Sequence, residues 1–284
     1  DHVYVYVMLG YIDVLSEDQT KQTINLVEKL EKVWIRRAPI PMDFFTVGAV
    51  TYMEGCESIK KYHRHRKVMN PVLRKHFTWL YDILLDKLAT QFGPCEIVDE
   101  LGHPGFHIFG HKPGQVSDPE CAKRFEKPLA SLHVDIQYKE HMDYWATYKE
   151  FDLEDQLSFT LPIELPTHGG GLWLWDWLEL DTEQIDNFNF QGDENKDTYI
   201  KEVMKDIDPR ESKEFWDNGS LPFKYNPIYD TKPMVVPYTV GKLFYHVGHI
   251  LHQIIPGYNL QPGDRRITLQ GHGIKCDGIW KIYF

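Results

Sequence analysis

The chain has 284 residues, 42% hydrophobic, 26% charged and 14% aromatic, with a formal net charge of −11 and a pI near 5.7. An acidic balance of that size speaks against general electrostatic attachment to nucleic acid or to an anionic membrane. No apolar run approaches the roughly 18–20 residues that a bilayer-crossing helix needs.

Helices are predicted first. Ser16 followed three residues later by Gln19 is a capping-box pattern, and Ile24, Val27, Leu30 and then Val33 or Trp34 form an apolar stripe at helical spacing. A second helix is expected to begin at Asn70 as cap with Pro71 in its first turn. It carries Leu73, Phe77, Leu80, Leu84 and Leu88 on one face, and Gly93-Pro94 stops it. Both read as supports packed on a sheet.

From Cys95 the texture changes to short β segments broken by Gly and Pro: 95–101, 105–110, 131–138, 157–164, 170–177, 234–240, 242–255 and 266–272. The fold class expected is mostly β with supporting α, a sandwich or jelly roll with helices outside. One domain is expected over 1–284, with 1–94 as helical support and 95–284 as the β core. An acidic, polar stretch at about 178–232 interrupts the strand rhythm and reads as an insertion, of a kind often used as a lid or binding loop. Cys56, Cys95, Cys121 and Cys276 have no CxxC pairing, so free thiols in a reducing compartment, the cytoplasm, are expected. The chain opens at Asp1 without an initiator Met, as a trimmed N-terminus does, which leaves a removed targeting segment open.

The segment Ser131-Leu-His133-Val-Asp135-Ile-Gln137-Tyr138 alternates. As a strand it puts His133, Asp135 and Gln137 on one face and Leu132, Val134 and Ile136 on the other. An imidazole and a carboxylate two residues apart can share one metal ion, and a distant His would complete a facial triad with open positions. Alone, HxD more often arises by chance. Three later histidines compete for the third place, His246, His249 and His252. His246 shares parity with His252 if the strand is unbroken, and His249 would point the other way.

Taken together, His133-x-Asp135, the strand opened by Gly241, His252 with Pro256 four residues on, and Arg266-x-Thr268 resemble the Fe(II)/2-oxoglutarate oxygenase superfamily. Gly170-Gly171-Leu172-Trp173 resembles that family's Gly-Gly-x-Leu strand. The resemblance covers residues 130–272 and places no subfamily. It implies a double-stranded β-helix (jelly-roll, cupin-like) core, with His133, Asp135 and His252 as iron ligands. Arg266 is then the fork for the 2-oxoglutarate carboxylate, with Thr268 adding a bond. Arg265 is the rival arginine, since it suits the spacing from Gly263; Arg266 is preferred for its register with Thr268.

The cofactors implied are Fe(II), 2-oxoglutarate as co-substrate and O2, with ascorbate as reductant. The chemistry implied is oxidation of an unactivated C–H bond, most simply hydroxylation, by a 2-oxoglutarate-dependent dioxygenase. Asp135, where the halogenating branch has Gly or Ala, speaks against halogenation. The partner expected is a small molecule, a free amino acid or a natural-product intermediate, and neither nucleic acid nor membrane. Oxidative cyclisation or desaturation, a peptidyl (prolyl-type) hydroxylase, and a non-catalytic jelly-roll metal-binding protein are the alternatives. His103, His107 and His111 recur every fourth residue, but Gly102, Pro104, Gly105 and Gly110 argue against the helix that a zinc site there would need. The basic run 60–67 reads as a solvated face. Trp173, Trp175 and Trp177 read as packed core.

Overall fold

A computed structural model describes residues 8–37, 43–50, 59–114, 133–179 (only the backbone at 176–179) and 233–284. Most of the insertion expected at 178–232 lies outside the described residues, as do Ser131 and Leu132.

Twelve strands are described: β1 (Leu9–Asp13), β2 (Ile35–Arg36), β3 (Phe44–Val47), β4 (Cys95–Ile97), β5 (Gly105–Phe109), β6 (Phe151–Glu164), β7 (Leu172–Glu179), β8 (Met234–Val236), β9 (Lys242–Val247), β10 (Ile250–Ile254), β11 (Arg266–Cys276) and β12 (Ile279–Tyr283). The larger sheet runs β1-β9-β6-β11-β5-β3-β2, with β12 joined to β11 and β4 joined to β12; only the β12–β4 pair is parallel. The smaller sheet is β10-β7-β8, antiparallel throughout.

Alternation along the strands decides what lies on each side of the larger sheet. Ile267 and Leu269 on β11, Ile108 and Phe106 on β5, Leu161 and Phe159 on β6 and Leu243 on β9 form one buried cluster. Onto it pack Val27 from α1 (Glu17–Lys29) and Leu73, Phe77, Leu80, Leu84 and Leu88 from α2 (Ile59–Phe92). The other face meets the smaller sheet. Phe44, Phe109 and Phe244 from the larger sheet pack with Leu172, Leu174, Val236, Ile250 and Ile254 from the smaller one. Two largely antiparallel sheets therefore face one another across a buried seam with the helices outside, the double-stranded β-helix arrangement expected.

Several local expectations hold and several are corrected. The capping box of α1 forms, with Ser16 Oγ accepting from Gln19 N–H and Gln19 Oε1 accepting from Ser16 N–H. Helix α2 does not begin at Asn70; it starts at Ile59 and runs through Pro71. Asn70 spends its amide on distant backbone instead, donating to Leu101 C=O and accepting from His103 N–H. Helix α2 ends at Gly93-Pro94 as expected, with Gly93 at φ +92°. The stretch 242–255 is two strands, because the chain turns at Gly248-His249 and passes from the larger sheet to the smaller. Of the strand expected at 131–138, the described residues 133–138 hold a single bridge at His133, and Gln137–His141 is a 3-10 turn leading into α3 (Met142–Trp145). Strands β1, β2, β3 and β12 were not anticipated, so the N-terminal third supplies three sheet strands besides its helices. Among the described residues no helix is long and apolar enough to cross a membrane.

His141, at the end of that 3-10 turn, packs against Tyr62 and Tyr283. Burial, reinforced by nearby His63 and Arg66, pushes its imidazole down to about 4. An unfolded histidine titrates near 6.5. Between those values the unfolded chain binds a proton that the folded chain refuses, so this contribution is complete above pH 6.5 and is lost as the pH falls through 4. The gap corresponds to about 3 kcal/mol. Thermal unfolding between pH 7 and 4 is expected to show a falling Tm, with a shallower fall in His141→Phe; parallel curves for the two proteins would contradict the assignment.

Candidate metal centre

His133 and His252 are brought together by main chain. His133 N–H donates to His252 C=O at 3.0 Å and His252 N–H donates to His133 C=O at 2.9 Å. Residues paired in this way project their side chains to the same side, and the two rings lie 4.4 Å apart between centroids. Two residues on, Asp135 is pinned at both ends of its peptide. Its N–H donates to Gly248 C=O at 2.7 Å, and its C=O accepts from Gln156 Nε2. Gly248 is required there because a Cβ would sit 2.8 Å from Gln156 Cδ and from Ser158 Oγ.

The Asp135 carboxylate thus points between the two rings. Oδ1 lies 3.7 Å from His133 Nε2 and Oδ2 lies 3.6 Å from His252 Nε2. These separations are too long for hydrogen bonds, and the three ligand atoms all lie within 4.8 Å of one another. His252 Nδ1–H donates to Ile250 C=O at 2.8 Å, which leaves Nε2 with its lone pair facing the carboxylate. Burial pushes His252 down to about 3, so it is neutral at physiological pH. Burial alone would raise the Asp135 carboxyl, but the surrounding imidazoles of His252, His272, His133 and His246, which carry charge once the pH is low, outweigh it and hold the group well below the usual carboxylate range. An ionised Asp135 and a neutral His252 are protonation states that suit a divalent cation. Two nitrogens and one carboxylate suit a first-row transition metal.

Of the three competing histidines, only His252 joins this group. His246 lies beside it, rings 4.6 Å apart, with Nδ1–H donating to Val247 C=O. His249 lies elsewhere, its Nε2 3.0 Å from Tyr138 OH. The earlier histidines do not converge: His103 Nε2 pairs with Asp99, whereas His107 Nδ1 meets Thr46 Oγ1. Trp173 and Trp175 are buried, on the face of β7 opposite Leu172 and Leu174.

The arginines separate sharply. Arg265 forks onto Glu164, 2.8 and 3.3 Å, and also reaches Glu28 at 2.7 Å. Arg266 points into the seam and is 0% exposed. Its Nε donates to Gly170 C=O at 2.9 Å and its Nη1 to Thr268 Oγ1 at 3.3 Å, with the Phe109 and Tyr238 rings on either side. Among the described residues no carboxylate pairs with it, and burial pushes its pKa down to about 10. A buried guanidinium without a counter-charge is costly in isolation, and a ligand carboxylate relieves it.

Sequence reasoning did not find His272, Ser158, Gln156 or Tyr238 as site residues. Parity was the available signal for His272, which shares a face of β11 with Arg266 and Thr268.

No protein-family model and no curated protein sequence matches the chain. Among solved structures it is similar to an N-substituted L-amino acid dioxygenase from Burkholderia ambifaria, at 12% identity and a TM-score of 0.48 over 96% of this chain and 85% of the other. It is also similar to a prolyl-4-hydroxylase from Pseudomonas putida, at 10% identity and a TM-score of 0.35 over 98% and 94%. A third likeness is to SnoN, a non-heme alpha ketoglutarate dependent epimerase from nogalamycin biosynthesis, at 10% identity and a TM-score of 0.39 over 94% and 77%.

Proposed function

We propose that the chain is an Fe(II)- and 2-oxoglutarate-dependent oxygenase that hydroxylates an unactivated C–H bond of a small molecule, a free amino acid or natural-product intermediate. The observation that carries the reading is the pairing of two separate features in one seam. One is a His133/Asp135/His252 donor set whose ligand atoms converge, with Asp135 ionised and His252 neutral, and the other is a fully buried Arg266 with which no carboxylate pairs among the described residues. A merely structural metal site has no use for the second.

In this reading His133, Asp135 and His252 hold the iron, and Arg266 with Thr268 grips the distal carboxylate of 2-oxoglutarate. The bound group supplies oxidative decarboxylation of 2-oxoglutarate to succinate and CO2 and, with O2, the oxidising power for the C–H bond. The chain's own part is geometric and electrostatic. Arg266 fixes the co-substrate by charge and by its planar fork. Thr268 Oγ1, which accepts from Arg266 in the structure, orients that fork. Phe109, Phe244, Leu172 and Leu174 keep the seam dry around it.

The test is succinate release from the purified chain with Fe(II), ascorbate and 2-oxoglutarate, followed by a screen of free and N-substituted amino acids, prolyl peptides and small natural-product precursors. Metal-dependent succinate formation that rises with one small-molecule class is expected. Stimulation by a prolyl peptide alone would move the substrate to protein side chains. Absence of 2-oxoglutarate binding by the metal-loaded chain would end the oxygenase reading.

A further inference from the structure

Beside the candidate ligands lies a second polar group that the metal reading does not use. Gln137 Nε2 lies 2.9 Å from His272 Nε2 and 3.5 Å from Asp135 Oδ1. His272 Nδ1 lies 3.1 Å from Ser158 Oγ and 4.0 Å from Asp135 Oδ2. All three side chains are buried and come from different elements, the 3-10 turn, β11 and β6, with His272 directly opposite Ser158 in the sheet register.

The proton count follows from the geometry. The Gln137 amide nitrogen can only donate, so His272 Nε2 accepts and the ring hydrogen sits on Nδ1. That N–H faces Ser158 Oγ, while Asp135 Oδ2, 4.0 Å away, is out of hydrogen-bond range. The second hydrogen of the Gln137 amide faces Asp135 Oδ1. Reversing the amide would set a carbonyl oxygen against an ionised carboxylate, so the orientation is fixed by charge. It also leaves Gln137 Oε1 buried without a partner among the described residues, a cost retained when the amide's donors are needed. Asp135 Oδ1 therefore receives one N–H from Gln137, whose amide is itself oriented by His272.

We propose that His272, clamped between Gln137 and Ser158, is a positioning residue that orients the Gln137 amide and, through it, holds the Asp135 carboxylate in its metal-binding orientation. The inference rests on the metal-centre reading above. It assigns no ligand role to His272, whose Nε2 is occupied and whose Nδ1 is turned to oxygen. Outer partners of this kind are each worth roughly 10–100-fold in metal affinity.

The experiment is titration of the full chain with Co(II), followed by calorimetry and by the visible absorption of the bound ion. His272→Phe keeps the ring and removes both nitrogens. It is expected to weaken Co(II) binding roughly 10–100-fold and to alter the absorption spectrum, while the Tm of the metal-free protein stays close to the parent's. His272→Gln, which restores a donor amide, is expected to recover part of the affinity. Parent-like affinity and spectrum in His272→Phe would overturn the proposal. If that variant does not fold, Gln137→Leu is read the same way, and unchanged Co(II) affinity there overturns it equally. If the parent chain itself binds no Co(II), the metal-centre reading fails; if the parent binds and the variants bind equally, only the positioning role fails.

Discussion

Replacing Asp135 with alanine is expected to abolish succinate formation and metal binding together, and His133→Ala and His252→Ala are expected to do the same. Asp135 supplies the only negative charge that the three-residue donor set holds. Without it a divalent cation meets only two imidazoles in a buried seam, where its desolvation is not compensated. The loss of affinity should exceed the roughly 10–100-fold attached to an outer partner. The fold should persist, since none of the three side chains belongs to either hydrophobic cluster of the sheets. His249→Ala is the informative contrast: its ring meets Tyr138 rather than the carboxylate, so metal affinity should hold. Metal titration by calorimetry and a succinate assay on the four variants decide the matter. Retained binding in His252→Ala with loss in His249→Ala would reassign the third ligand.

The second large effect is a crossed pair of arginine phenotypes. Arg266→Ala is expected to weaken 2-oxoglutarate binding by about 2–4 kcal/mol, roughly 30–1,000-fold, because a charge-assisted bidentate contact disappears. Its metal-free Tm should not fall, since the side chain removed is a buried cation with no carboxylate partner among the described residues. Arg265→Ala should do the reverse. It leaves Glu28 and Glu164 facing each other across a part-buried gap, costing about 1–3 kcal/mol of stability, with little change in 2-oxoglutarate affinity. Paired thermal melts and 2-oxoglutarate titrations check both arms. A co-substrate defect confined to Arg265→Ala would reverse the assignment.

How much of this was legible in the sequence depends on how local each signal is. Strand parity is local, so His133 and Asp135 were read as neighbours, and Arg266 and Thr268 were read as sharing a face. Choosing between Arg265 and Arg266 was not local, because Glu28 and Glu164 lie far away in the chain and only the fold delivers them to Arg265. Residues 242–255 look continuous because one apolar run crosses the turn at Gly248-His249. His246 and His252 end up adjacent because they sit on two sheets that face each other, a reason different from the shared parity of one strand. Asn70-Pro71 imitates a helix start, yet the Asn70 amide is claimed by Leu101 and His103 from outside the helix. Edge strands as short as β2 offer too few residues for alternation to register.

The paired amides of His133 and His252 have a kinetic consequence. Their bridge joins segments distant in sequence, so it forms only after most of the loop-closure entropy between them has been spent. Being main chain, it does not depend on either imidazole. Hydrogen exchange at those two amides therefore reports opening of the seam separately from anything the side chains bind. Slow exchange should survive in His133→Ala and His252→Ala, where a donor side chain is lost but the main-chain frame is still closed.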